Sequence, residues 1–101
     1  MVKKIVRDPM FLQHIYQMES LFDKATDCLD TLEKLIAEYK ELQPDIQRLE
    51  EYYTSQQWKD DLAKDEAGEF PDELKRGVLS EDGIYNLLER NKEMMEWISK
   101  I

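Results

Sequence analysis

From Phe11 onward the apolar positions recur with helical spacing. Phe11, Ile15, Met18, Phe22, Ala25, Leu29, Leu32, Ile36 and Tyr39 fall at alternating steps of four and three. This is an unbroken heptad seam, and it predicts a helix over about residues 9–43. Asp8-Pro9 supplies its start: the aspartate caps, and the proline has no amide to leave unpaired and a φ already helical. His14, Leu21, Cys28, Leu35 and Leu42 run beside the seam at steps of seven. The combined face is wider than a two-stranded coiled coil needs, and a bundle of three or more helices fits it better. Such a helix is ~50 Å long at ~1.5 Å per residue, whereas a compact 100-residue domain has a radius of gyration of only ~13 Å. Either the monomer is elongated or a second copy covers the overhang. A homodimer through Phe11, Ile15, Met18 and Phe22 is the expectation.

Pro44 ends the first helix, because the residue before a proline disfavours the α region. A second helix is predicted over 45–65, with Ile46, Leu49, Tyr52 and Tyr53 on one face. The turn holds no glycine, so a hairpin and a proline-kinked continuous helix both fit; the hairpin is the reading adopted. Beyond Tyr53 the phase changes. Trp58 lies ~140° and Leu62 ~180° round from Tyr53 at ~100° per residue. Either the helix breaks near Thr54-Ser55, or these two side chains meet a different neighbour. A third helix is predicted over 80–100. Ser80 caps it, Glu81 and Asp82 suit its positive end, and Leu79 and Ile84 have the spacing of a hydrophobic staple. Its seam, Ile84, Leu88, Asn91, Met95 and Ile98, repeats the period of the first. Asn91 is either a buried amide that fixes register or a partly exposed side chain.

The result is an all-α chain, an elongated three-helix bundle or coiled-coil-like hairpin forming one domain over 1–101, with an ordered irregular loop at 66–79. All three glycines and Pro71 lie in the stretch 58–85, where a site would most plausibly sit. Trp58, Leu62, Phe70, Pro71, Leu74, Val78 and Leu79 suffice for a satellite apolar cluster there. Lys75 and Arg76, beside a helix start, could bind an anion. Glu81 and Asp82 oppose that, and pairing with carboxylates of the 58–66 stretch is the favoured reading. The candidate site residues are Tyr52, Tyr53, Trp58, Asp61, Leu62, Lys75 and Arg76.

Charge and chemistry narrow the function. Fourteen Lys and Arg against 23 Asp and Glu give a net charge of −9, which repels nucleic acid and anionic lipid. No apolar run reaches membrane-spanning length and no signal peptide is read at the start, so neither a nucleic-acid nor a membrane partner is expected. The single cysteine excludes an internal disulfide and suits a reducing cytoplasm. His14 and Cys28 stand ~21 Å apart along one helix, too far for a dyad, and are read as a packed histidine and a buried thiol. Di-iron, zinc, P-loop and dinucleotide signatures are absent. The acidic group Asp60, Asp61, Asp65 and Glu66 does not match an EF-hand loop. No catalytic residue, metal or cofactor is expected.

The succession YYTSQQWKDD followed by DEAGEFPDELKRGVLSEDGIYNLLE resembles an uncharacterised bacterial family of short acidic helical proteins, classed only as a domain of unknown function. The resemblance is strongest from Leu49 to Leu88 and rests on the Tyr-Tyr pair, Trp58, Gly68, Pro71 and LKRGVLSED. It implies a bacterial, cytoplasmic protein and no mechanism. Three function classes follow. The leading one is a non-enzymatic helical module that associates with itself and with another protein. The second is a ligand or enzymatic site under the 58–82 loop using Tyr52, Tyr53, Trp58, Asp61 and Arg76. The third is an acidic inhibitor that mimics nucleic acid.

Overall fold

The computed structural model describes residues 2–101. Among them are four α-helices and no strand: α1 (Pro9–Glu41), α2 (Gln43–Tyr53), α3 (Gln56–Glu66) and α4 (Glu81–Lys100), with a 3-10 turn at Gly77–Leu79 before α4. The described residues form two units, one ending at Glu41 and one beginning at Leu42.

The first unit is essentially α1. Asp8 caps it as its side chain accepts from the Met10 amide at 2.9 Å. The helix runs 33 residues without a buried side chain. His14 and Cys28, expected to be packed, are both exposed. The cause is plain: they flank a seam that nothing in this unit covers. Near the C-terminal end, Ile36 and Tyr39 are half-buried.

α1 stops at Glu41, two residues before the expected 43, and α2 starts at Gln43, two before the expected 45. Pro44 accounts for both boundaries. It cannot donate to the carbonyl four residues back, yet it is tolerated in a first helical turn. Leu42 between the helices keeps right-handed helical dihedrals (φ −76°, ψ −13°), and its carbonyl accepts from the Asp45 and Ile46 amides.

The second expected helix, 45–65, is two helices. The break falls at Thr54-Ser55, where the apolar phase changes. Thr54 Oγ1 donates to the Glu50 carbonyl at 3.0 Å and Ser55 Oγ to the Tyr52 carbonyl at 2.6 Å, so both hydroxyls serve the end of α2. Ser55 then takes an extended conformation (φ −90°, ψ 163°) and caps α3 by accepting from the Trp58 amide. Helix α3 ends in a Schellman motif: the Glu69 amide bonds the Lys64 carbonyl and the Gly68 amide bonds the Asp65 carbonyl. Gly68 has φ +73°, a left-handed value that a side chain would oppose.

The start of α4 matches the sequence reading. Ser80 accepts from the Gly83 amide at 3.1 Å, and Leu79 and Ile84 are both buried as the staple requires. The core of this unit is Ile46, Trp58, Leu79, Ile84 and Leu88, with α2, α3, the 3-10 turn and α4 each contributing. Asn91 is half-buried and pairs reciprocally with Gln43: each amide donates to the other's oxygen at 3.0 Å. Both alternatives for Asn91 therefore hold in part. It is not fully enclosed, and its two bonds fix the register of α4 against α2.

Candidate functional site

Phase and capping together position the connector between α2 and α4. The break at Thr54-Ser55 turns Trp58 inward, where its ring meets Tyr53 edge-on, centroids 5.0 Å apart at 82°. Its indole N–H reaches across the core to donate to the Val78 carbonyl at 2.8 Å. That bond ties α3 to the turn that launches α4. Leu62, one turn beyond, is half-buried.

Asp61 and Asp65 stand four residues apart on α3, so they share a face. Asp61 accepts from the Tyr52 hydroxyl at 2.6 Å, clasping α2 to α3. Asp65 accepts from Arg76 Nε at 2.5 Å. The rest of the Arg76 guanidinium faces the loop. Nη2 donates to the carbonyls of Pro71 (2.7 Å) and Phe70 (3.2 Å), and Nη1 to those of Asp72 and Leu74, both at 3.4 Å. An arginine has five N–H donors in a fixed fork, and every one here has an acceptor. Lys75 is exposed and, among the described residues, forms no ion pair with α3. The pairing expected of both basic residues falls to Arg76 alone.

Burial, then the hydrogen bond to Asp61, then the charge of that carboxylate push the Tyr52 phenol from 10.0 up to about 12. A phenol held that high is a poor proton donor or acceptor near neutrality. Its effect is on stability. Because folding raises this pKa, the contribution of the protonated phenol is complete below 10.0 and is lost as pH rises through about 12. A spectrophotometric titration of the native chain, minus that of Tyr52→Phe, should isolate one phenol with a midpoint near 12. A midpoint at the ordinary value would mean that the clasp to Asp61 is open in solution.

Tyr52 and Tyr53 at the end of α2 thus meet Asp61 and Trp58 of the connector, and Arg76 binds Asp65 and the loop backbone, so these contacts run within the unit. One open cleft of 430 Å³ lies along α3, lined by Asp60, Ala63, Lys64 and, just beyond the helix, Glu69. Another open cleft, of 460 Å³, is lined by Leu49, Val78, Ile84 and Leu87, with Asn86 and Arg90 among its polar groups. Leu49, on the apolar face of its helix, and Leu87, beside the seam of α4, signal it in the sequence. Among the described residues no three His, Cys, Asp or Glu side chains gather as a metal site, and no helix is long and apolar enough to cross a membrane.

The other candidate surface is on α1. Phe11 and Phe22 are each 66% exposed, and Ile15 and Met18 are exposed beside them on the seam. Leu21, Leu29, Leu32 and Leu35 continue the apolar strip and are exposed too.

A family model described as a domain of unknown function, DUF4298, matches residues 15–101. The chain belongs to the DUF4298 family. The DUF4298 match takes in the whole connector and the α1 seam from Ile15, while Phe11 precedes it. No curated protein and no solved structure matches the chain.

Proposed function

We propose that this chain is a non-enzymatic helical association module that pairs with a second copy of itself through α1. The observation that carries this reading is a 33-residue helix with a complete heptad seam and no buried residue. Helices gain most of their stability by packing an amphipathic face, not from intrinsic propensity. The seam's period is that of knobs-into-holes packing, which asks for a partner helix of the same period. A second α1 is such a helix. Two-thirds exposed, Phe11 and Phe22 alone offer on the order of 250 Å² of the ~800 Å² that each partner of a stable interface buries. The leucines along the strip can supply the remainder.

The connector is consistent with this division of labour, because Trp58, Asp61, Asp65 and Arg76 are engaged in holding its elements together. Phe22→Glu tests the proposal. Each dimer would carry the change twice, so Kd should rise by at least ~100-fold and light scattering after gel filtration should report monomer. Ser20→Glu, on the polar side of the same helix, should leave the dimer intact. Equal behaviour of the two variants would reject α1 as the interface.

A further inference from the structure

Building on self-association through α1, we propose that the two copies of α1 run antiparallel, with the two-fold axis beside Asp27-Cys28. In a heptad numbering, Ile15, Phe22, Leu29 and Ile36 take one core position (a), and Phe11, Met18, Ala25, Leu32 and Tyr39 the other (d). The flanks then differ sharply. His14, Leu21, Cys28 and Leu35 fall on one side (g), and Leu12, Glu19, Thr26, Glu33 and Lys40 on the other (e). One flank is mostly apolar and the other mostly polar.

That asymmetry selects a direction. In a parallel, in-register pair each g position meets an e position of its mate. Leu21 would then face Thr26 of the second copy, and Leu35 would face Lys40. Apolar surface would lie against polar groups on both sides of the seam. In an antiparallel pair like flanks meet. With the axis at residue 27, Leu21 faces Leu35 of the other copy, Cys28 faces Cys28, and the polar flanks come together at the rim. The exposed leucines of the apolar line are covered only in this arrangement.

Side-chain volume selects the same arrangement. A parallel pair would stack Phe22 on Phe22 and Ala25 on Ala25, a bulge followed by a gap, whereas good packing sets large residues against small ones. The antiparallel register instead pairs Ala25 with Leu29, Phe22 with Leu32, Met18 with Ile36 and Ile15 with Tyr39, and leaves Phe11 beyond the end of the second α1. Opposed helix dipoles favour it as well. Its cost is that Glu19 of each copy faces Glu33 of the other at the exposed rim. Salt screens that repulsion, so the dimer should tighten as ionic strength rises.

Two nitroxide distances test the register. Cys28 is the single cysteine, so it can be labelled in the native chain, and Met10→Cys can be labelled in a Cys28→Ser background. The antiparallel pair should give ~50 Å between Met10→Cys labels, at ~1.5 Å per residue, and a short distance between Cys28 labels. Slippage by one heptad would move the first distance to ~40 or ~60 Å and would overturn the register. Short distances at both positions mean a parallel pair; they overturn this proposal while leaving self-association standing. Monomer in sedimentation equilibrium overturns both.

Discussion

Trp58→Ala should destabilise the α2–α4 unit by ~3–5 kcal/mol, the range for emptying a large aromatic from a core. Trp58 is 6% exposed and is one of five buried side chains among the described residues, the others coming from α2, the 3-10 turn and α4. Its removal also leaves the Val78 carbonyl without the indole donor and Tyr53 without its edge-on partner. In a domain whose total stability is typically ~5–15 kcal/mol, that is a large share. Thermal melting followed at 222 nm should show the midpoint fall by at least ~12 °C. Trp58→Phe retains most of the volume and loses the bond to Val78, so its loss should be well under half as large. An unchanged midpoint in Trp58→Ala would mean that the indole is not in the core in solution.

Arg76 should be nearly as sensitive, for a different reason. It contributes little apolar area; its guanidinium organises backbone. One planar group joins Asp65 on α3 to four carbonyls of the loop between Phe70 and Leu74. Charge-assisted bonds of this kind contribute ~1.5–3 kcal/mol when poorly exposed, and both side chains of the ion pair are less than one-third exposed. Arg76→Ala should cost ~2–3 kcal/mol in urea unfolding, with part of the loss local to the loop. Arg76→Lys tests the fork itself. An ammonium keeps the charge but cannot reach acceptors spread around a plane, so it should recover less than half of the loss. In both variants trypsin should cleave after Lys75 faster than in the native chain. Full recovery by lysine would reduce Arg76 to a surface charge.

Much of the fold is legible in the residues because local signals coincide with tertiary ones. Asp8-Pro9, Ser80 with its Leu79–Ile84 staple, and the heptad seams of α1 and α4 each act within a turn or two. The break at Thr54-Ser55 shows in the sequence as a phase change, but phase alone leaves two readings. The hydroxyl bonds to Glu50 and Tyr52 decide between them, and those depend on side-chain rotamers. The connector is legible by class and not by partner. The residues alone predict that Lys75 and Arg76 pair with carboxylates of the 58–66 stretch; that Arg76 takes Asp65 while Lys75, among the described residues, forms no ion pair follows from the Schellman turn bringing the loop back. The Gln43–Asn91 pair spans 48 residues and has no local signal beyond an asparagine on a seam. An apolar flank line normally means a covered one, so the residues alone predict a packed His14 and a buried Cys28. Within its own unit that line is uncovered, and this is the same fact on which the proposal of a second copy rests.

Sedimentation equilibrium of the full chain is the most direct measurement of that point. At tens of micromolar the mass should approach twice 12.1 kDa and fall toward 12.1 kDa on dilution. A single species of 12.1 kDa throughout that range would contradict self-association through α1.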